Sequence, residues 1–226
     1  MKRYVLMLII FATAFCANAQ TASKQPVIIE LIISKGAAFK YADFTNIKGY
    51  GIQDINQWHN RVIVYAETTR AKALEARISK DFPKEKMVVF AHPFYNFNRK
   101  NCSDKAIAPK WDNIIMSANL VADPKMQQEY LNYHATQFKN WPEVSQGFCN
   151  ANFQQLLVFK TGRQLILVIS IPKGESLDKL NPLTTKNNPR VNDWNNMMKK
   201  YQEGIEGTKK GEVWVVFKDV DKSKLH

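Results

Sequence analysis

The chain is poor in cysteine, with three cysteines in 226 residues. Cys16 lies in an apolar N-terminal run, whereas Cys102 and Cys149 are far apart in the remaining sequence. Two cysteines are too few for a disulfide framework, although they suffice for one bridge in an oxidising compartment. The sequence leaves both states open for Cys102 and Cys149, and two unpaired thiols are the simpler expectation.

The signatures of most metal and cofactor enzymes are also missing. The sequence has no HExxH zinc motif, no paired CxxC, no P-loop, no dinucleotide-binding glycine pattern and no GxSxG nucleophile elbow. The histidines His59, His92, His134 and His226 are too dispersed to indicate a metal site. We therefore expect no metal and no cofactor, and any catalysis should be proton transfer between side chains and substrate.

Only one long apolar run is present, and it lies at the N-terminus. Two basic residues precede the run VLMLIIFATAF, which ends in A-N-A before Gln20. This pattern is typical of a secretory signal peptide and is too short for a membrane span. We expect residues 1–19 to be cleaved and the mature protein to be exported without membrane insertion, periplasmic in a Gram-negative bacterium. A lipoprotein anchored at Cys16 is the weaker alternative, because the preceding Phe15 is bulky.

Acidic residues are outnumbered by basic ones, 20 to 32, which gives a formal net charge of +12. The lysines are scattered, and the sequence shows neither an RNA-recognition strand nor a zinc-finger spacing. We interpret the charge as a solvated surface and predict no nucleic-acid partner.

The second half of the chain shows a regular order of predicted elements. These are a strand over 111–121, a helix over 124–148, the β-rich runs FQQLLVFKTG and RQLILVISIP, a helix from Asn188-Pro189 to Gly204, and the strand GEVWVVFKDV. The two β-rich runs meet at Thr161-Gly162, which is a hairpin signal. This order is that of the split βαβ, or ferredoxin-like, domain.

The first half repeats the order more tersely. Its predicted elements are PVIIELIIS, the helix GAAFKYADF, GYGIQDI, NRVIVYAET, the helix RAKALEARISKDF and KMVVFAHPFYNF. We therefore predict an α+β protein with two tandem ferredoxin-like domains, residues 26–97 and 111–226, joined by a linker over 98–110. Two such domains can pair their sheets into a dimeric-type α/β barrel, so that a monomeric chain forms an internal pseudo-dimer.

One stretch of the second half, EYLNYHATQFKNWPEV, places chemically active side chains at helical spacing. Tyr130 and His134 lie one turn apart, and Trp141 returns to the same side if the helix continues. An imidazole, a phenol and an aromatic plane on one stripe can hold and protonate a sugar. The same three side chains could equally form ordinary core packing.

The second half resembles the L-rhamnose mutarotases, small ferredoxin-like proteins that interconvert the anomers of the free sugar. The resemblance covers about residues 112–220 and is carried by E-Y-x-x-Y-H at 129–134, W-P-E at 141–143, P-R-V at 189–191, Trp194, Met198, Tyr201 and G-E-x-W at 211–214. The first half looks like a degenerate fused copy that takes the place of a partner subunit. Its helix GAAFKYADF offers Tyr41 but no histidine, so one site per chain is expected.

The resemblance implies a cofactor-free isomerase whose partner is a monosaccharide, L-rhamnose or a similar deoxy sugar. His134 would be the acid/base, since imidazole titrates near neutral pH. Tyr130 would hold a hydroxyl group or transfer a proton. The substrate-binding side chains would be the aromatic residues Tyr133, Phe138, Trp141, Trp194 and Trp214.

Two alternatives stay open at this point. The first is a non-catalytic barrel that binds a sugar or another small ligand. It is favoured because His134 and Trp141 are seven positions apart, where the family usually has four, and because Val158 stands where the family often has a tyrosine. The second is a small oxygenase or haem-handling protein, since ferredoxin-like barrels host several chemistries.

Overall fold

The computed structural model describes residues 23–34, 44 and 47–220. The strands are β1 Gln25–Ile32, β2 Ile52–Trp58, β3 Arg61–Thr68, β4 Lys86–Phe90, β5 Pro93–Asn98, β6 Trp111–Leu120, β7 Gln155–Thr161, β8 Gln164–Pro172, β9 Gln202–Glu203 and β10 Val215–Asp219. The helices are α1 Ala71–Asp81, α2 Pro124–Ala135, α3 Gln137–Asn140, α4 Pro142–Asn150, α5 Leu177–Leu180 and α6 Pro189–Met198. The predicted signal peptide and the predicted helix GAAFKYADF, apart from Phe44, lie outside the described residues and stay predictions.

The strands form one antiparallel sheet that almost closes on itself. Their order is β4-β1-β3-β2-β10-β6-β8-β7-β5, with β9 attached to β6. The order β4-β1-β3-β2 in the first half is repeated by β10-β6-β8-β7 in the second half. In each set of four, the strand that comes last in the sequence lies beside the first, and the third and second strands follow. The two ends approach each other where Thr161 in β7, the strand next to the last, donates a hydrogen bond from Oγ1 to the carbonyl oxygen of Val89 in the end strand β4, at 2.9 Å. The result is a mixed α/β architecture around a barrel-like sheet.

The run KMVVFAHPFYNF forms two strands, where the sequence predicted one. It is interrupted before Pro93, whose ring fixes φ and removes a backbone donor, so that proline favours the edge of a sheet. The second piece, β5, leaves the strands of the first half and pairs with β7, with Tyr95 opposite Val158. Residues that the sequence assigned to the first half therefore complete the sheet of the second half.

The single helix predicted over 124–148 is instead three helices, α2, α3 and α4. Trp141, between α3 and α4, has φ −137° and ψ 53°, because the ring of the following Pro142 disfavours the helical conformation. Trp141 therefore does not share a continuous helical stripe with Tyr130 and His134. The later helix, α6, ends at Met198 and not at Gly204, since Lys199–Tyr201 tightens into a 3-10 turn that leads into β9.

Strand alternation divides the buried side chains into three layers. One face of the first-half strands packs on α1 through aliphatic residues such as Val62, Val64 and Leu74. The opposite faces of both halves meet in the barrel interior, which contains Ile63, Phe159, Ile166 and Phe217 among others. The remaining face of the second-half strands packs on α2, α4 and α6 through a more aromatic cluster.

Cys102 and Cys149 form a disulfide, so the expectation of unpaired thiols is wrong. Their Cα atoms lie 5.8 Å apart, well within the range that a disulfide spans. Buried Arg99 supports the same contact by donating from Nη1 to the carbonyl oxygen of Cys149 at 3.1 Å and from Nη2 to Asp104 at 2.8 Å. The predicted linker over 98–110 is thereby fastened to α4. Within the described part of the chain, no helix has the length and apolarity needed to span a membrane.

Candidate active site

A cavity of about 430 Å³ lies between the second-half sheet and its helices. Its floor is apolar and is formed by Leu156 and Val158 of β7 and Leu167 and Ile169 of β8. Aromatic side chains form much of the wall, namely Phe148, Phe153, Trp194 and Trp214. Three amides and one amine from α6 and the turn after it lie at the edge, namely Asn192, Asn195, Asn196 and Lys199. A mostly apolar cavity with a few convergent polar groups is typical of a small-molecule site.

Helix α2 presents Tyr130 and His134 to this cavity. The helix begins at Pro124 after Asp123, whose carboxylate accepts a hydrogen bond from the backbone N–H of Lys125 at 2.8 Å. A proline in the first turn and an aspartate at the N-cap are both favourable helix starts. This start fixes the rotation of the helix about its axis. Tyr130 and His134, one turn apart, therefore both point inward, and they are 2% and 8% exposed.

The protonation state of His134 follows from its surroundings. Its Nδ1 lies 2.9 Å from the carbonyl oxygen of Tyr130. Because a carbonyl oxygen can only accept, Nδ1 carries the proton and Nε2 of the neutral ring is left as an acceptor. Burial lowers the pKa of His134 to about 4, and the hydrogen bond to the Tyr130 carbonyl only partly opposes this. The imidazole is therefore a neutral base at pH 7, which differs from the sequence-based expectation of a group that titrates near neutrality.

Tyr130 has the opposite character. Burial raises the pKa of its phenol, so the hydroxyl keeps its proton throughout the neutral range. The rings of Tyr130 and His134 are adjacent, with centroids 4.2 Å apart. A neutral base and a neutral acid with widely separated pKa values thus share one cavity, which is the usual arrangement for paired acid/base chemistry.

Two residues that the sequence did not indicate as part of the site cover His134 from the first half. Phe94 and Tyr95 of β5 place their ring centroids 5.6 Å and 5.3 Å from that of His134. Tyr95 donates a hydrogen bond from its hydroxyl to Oε1 of Gln137 at 2.6 Å. Gln137 is fully buried and donates in turn to the carbonyl oxygen of Trp141. The aromatic run HPFYNF was visible in the sequence, but its assignment to the other sheet concealed its position.

Gln137 also explains the long spacing between His134 and Trp141. It lies in α3, the extra turn that separates α2 from Trp141. Through its contacts with Tyr95 and with the Trp141 carbonyl, this turn joins β5 to the helices of the second half. The added residues therefore have a structural use next to the site.

Four of the seven predicted site residues line the cavity, namely Tyr130, His134, Trp194 and Trp214. Trp194 lies beside His134, with ring centroids 5.2 Å apart. The four come from α2, α6 and the segment before β10, so the fold brings together residues that are distant in the sequence.

The other three predicted residues do not line the cavity. Tyr133 and Trp141 stand behind Trp194, with centroid separations of 6.4 Å and 5.7 Å. The guanidinium of Arg190 lies 4.0 Å above the ring of Trp141, a cation–π contact. Phe138 is 44% exposed and stacks on Tyr95. Direct sugar contacts by these three side chains stay predictions. Among the described residues, no group of three or more His, Cys, Asp or Glu side chains could hold a metal ion.

The fold defines a barrel-like α/β protein, and the cavity is its candidate small-molecule site. Residues 113–220 match the family described as L-rhamnose mutarotase, and the chain belongs to this family through its second half.

Similarity to individual proteins is partial. A UPF0734 protein of Dictyostelium discoideum is 31% identical over 93 residues, which are 38% of this chain and 67% of the relative. An L-fucose mutarotase of Xanthomonas campestris pv. campestris is 28% identical over 75 residues, 33% of this chain and 58% of the relative. Among solved structures, a candidate monooxygenase of Fusobacterium nucleatum superposes with a TM-score of 0.48 at 10% identity, covering 89% of this chain and 94% of that chain. This last likeness is too distant to bear on function.

Proposed function

We propose that the protein is a cofactor-free aldose mutarotase that acts on L-rhamnose or a similar deoxy sugar. The observation that carries the proposal is the adjacency of a neutral imidazole and a neutral phenol in one cavity, His134 and Tyr130. Mutarotation needs one proton acceptor and one proton donor on the same small ring, and this pair supplies both at neutral pH. Membership of the mutarotase family supports the same chemistry.

The proposed reaction proceeds by ring opening and closure. Nε2 of His134 removes the proton of the anomeric hydroxyl, the bond between C1 and the ring oxygen breaks, and the Tyr130 hydroxyl protonates that oxygen. The product is the open-chain aldehyde. At this stage His134 is an imidazolium, because it has gained a proton, and Tyr130 is a phenolate, because it has lost one. Rotation about C1–C2 exposes the other aldehyde face to the C5 hydroxyl. Closure then returns both protons and gives the opposite anomer, so the enzyme is unchanged.

The lining of the cavity supports a deoxy sugar as substrate. Trp194 and Trp214 offer flat faces for the C–H side of a pyranose, and the asparagines at the edge can bind hydroxyl groups. A methyl group fits the aliphatic floor, including Val158 and Leu167, whereas a hydroxymethyl group there would lose hydrogen bonds to water without replacing them.

We also propose that the chain consists of two tandem ferredoxin-like domains and that the mature protein is exported. The repeated strand order of the two halves supports the tandem arrangement. The disulfide between Cys102 and Cys149 supports export, since such bonds persist mainly in oxidising compartments. An exported mutarotase could supply one anomer for uptake after polysaccharide cleavage.

Anomer exchange of L-rhamnose by saturation-transfer NMR tests the activity. We expect exchange above the buffer rate for the wild type and a fall of about 100- to 10,000-fold in the enzyme-catalysed rate for His134→Ala. The matched control is His92→Ala, because His92 is exposed and lies outside the cavity. Circular dichroism of each variant verifies the fold.

A wild-type protein that binds rhamnose or fucose without accelerating exchange would overturn the enzyme proposal. It would support a sugar-binding barrel instead. Val158 favours this second candidate, because it gives the cavity floor a methyl group where the family often has a hydroxyl.

A further inference from the structure

Two polar side chains beside Tyr130 form a short chain of hydrogen bonds. Trp214, just before β10, donates from its indole Nε1 to Oε1 of Gln202 at 3.2 Å. Gln202, in β9, donates from Nε2 to the hydroxyl oxygen of Tyr130 at 3.3 Å. All three side chains line the cavity. The three residues are referred to below as the Trp214–Gln202–Tyr130 chain.

The hydrogen bonds of the Trp214–Gln202–Tyr130 chain can run in only one direction of donation. An indole N–H can donate but cannot accept. The amide oxygen of Gln202 must therefore face Trp214, since the flipped amide would set two donors against each other. The amide NH₂ is consequently turned toward Tyr130, where it donates to the phenolic oxygen.

The polarity determines the direction of the Tyr130 proton. Because the phenolic oxygen accepts from Gln202, its own proton is not used in that contact. Among the described residues, no hydrogen-bond acceptor for this proton is found. Tyr130 and its partner Gln202 both line the cavity, which places this proton within reach of the oxygen of a bound sugar.

The backbone holds Gln202 in place. β9 pairs with the end of β6, with Gln202 opposite Leu120. The neighbouring carbonyl of Tyr201 accepts a hydrogen bond from the N–H of Val121 at 2.9 Å. Because the backbone on both sides is hydrogen-bonded, the Cα atom of Gln202 has a fixed position, which favours a precise orientation of the side-chain amide.

We propose that Gln202 is a positioning residue that directs the Tyr130 proton into the cavity, and that Trp214 fixes the orientation of Gln202. This inference rests on the proposed mutarotase function. Donation from Gln202 also stabilises the phenolate that forms when Tyr130 gives up its proton. It opposes the effect of burial on the pKa of that phenol.

The decisive variant is Gln202→Glu, which keeps the size of the side chain and replaces the NH₂ donor with an acceptor. The ionised carboxylate would accept from both Trp214 and Tyr130, so the Tyr130 proton would turn away from the cavity. We expect kcat for L-rhamnose exchange at pH 8 to fall on the order of 10- to 100-fold, with KM changed less than about threefold. The matched control is Gln128→Glu on the exposed side of α2, which introduces the same charge and should keep wild-type kinetics.

The pH profile separates a positioning role from a merely structural one. A protonated carboxyl group can donate as the amide does, so lowering the pH should restore the Gln202→Glu variant. The pKa of a glutamate is near 4.3 in water. Partial burial at position 202 would raise it, whereas the hydrogen bonds that the carboxylate accepts would lower it. The protonated fraction therefore grows as the pH falls from about 8 toward 5, and kcat of this variant should rise with it. The wild type should show a flat profile over the same range.

A second measurement keeps the inference independent of activity. In ¹H–¹⁵N spectra, the indole resonance of Trp214, assigned with Trp214→Phe, should shift in Gln202→Leu. The side-chain NH₂ resonances of Gln202 should shift in Tyr130→Phe. Absence of both shifts would overturn the chain of hydrogen bonds, whether or not the protein is a mutarotase.

The two proposals fail in different ways. If the wild type exchanges anomers and Gln202→Glu retains its rate and flat profile, the positioning role is wrong and the mutarotase function stands. If the wild type does not exchange any common aldose, the mutarotase function is wrong and the role of Gln202 in catalysis falls with it.

Discussion

The two halves of the chain share one strand order but cover it with different layers. In the first half, the buried residues between α1 and the strands are mainly aliphatic, and Val64, Leu74 and Ile78 are all 0% exposed. In the second half, the helices on the same side of the sheet carry His134, Tyr130 and Trp194, which surround a cavity of about 430 Å³. Among the described residues, the buried pair His134 and Tyr130 and the cavity that they line thus occur together in the second half.

This difference has an energetic basis. Close-packed aliphatic side chains each contribute about 1.5–3 kcal/mol when fully buried. A cavity forfeits part of that packing, and a buried imidazole must be held neutral at a cost to folding. Because both halves belong to one sheet, one half can supply stability while the other tolerates these costs. We therefore expect substitutions in the two layers to separate stability from activity.

The largest separation should come from one substitution placed in each layer, Val158→Phe and Val64→Phe. Val158 borders the cavity, so the larger ring can occupy open space and should remove enzyme-catalysed exchange altogether. The unfolding free energy of the Val158→Phe variant should change by less than about 1.5 kcal/mol, because the cavity accommodates the added volume. Val64 has no such space, and its overpacking should cost about 1–3 kcal/mol while the activity of the folded fraction is retained.

Urea unfolding and anomer exchange, measured on both variants, test this pair. A strongly destabilised Val158→Phe with normal exchange would contradict the position of the cavity. Loss of exchange in a folded Val64→Phe would show that the layers are not energetically separable.

The disulfide should distinguish the layers by a smaller amount. Its sequence separation of 47 residues corresponds to a stabilisation of about 4 kcal/mol through loss of chain entropy in the unfolded state. The double variant Cys102→Ala/Cys149→Ala should therefore lower the unfolding free energy by roughly that amount. Local loosening should be confined to the neighbourhood of α4, where the bridge is attached.

Hydrogen exchange by NMR measures this confinement. Amides of α4 should exchange faster in the double variant at constant pH, relative to those of α1, than they do in the wild type. Equal acceleration of α1 and α4 would mean that only global unfolding changed, and the local part of the prediction would be wrong.

Much of the fold could be read from local patterns. The β7–β8 hairpin was predicted from two β-rich runs that meet at Thr161-Gly162, and Gly162 has the positive φ of 57° that such a tight turn favours. The start of α6 was predicted from Asn188-Pro189, and the helix begins at Pro189. Both signals act over a few residues, so they survive without knowledge of the tertiary structure.

The features that escaped prediction depend on contacts between distant segments. The pairing of β5 with β7 joins Tyr95 to Val158, and no local pattern indicates which edge a strand will join. The disulfide partners and the hydrogen bond between Gln202 and Tyr130 are likewise distant in the sequence. The low pKa of His134 has the same origin, since its burial comes from Phe94, Tyr95 and Trp194 as well as from its own helix.

The last prediction concerns pH, which should act on the second-half layer through the buried imidazole of His134. The folded-state pKa of His134, about 4, lies below the unfolded value of about 6.5. Between these values the unfolded chain binds the proton and the folded protein does not, so stability decreases as the pH falls. The contribution of neutral His134 is fully present above about pH 6.5 and is lost progressively toward pH 4, on the order of 3 kcal/mol in total.

Unfolding free energies from urea titrations at several pH values between 7 and 4 measure this loss. His134→Gln should flatten the curve over that range, because glutamine cannot be protonated there. The control His92→Ala should retain the wild-type slope, since His92 is exposed and lies outside the cavity. If His134→Gln keeps the full slope, the acid sensitivity arises elsewhere, and the two layers do not differ in the way that the buried imidazole requires.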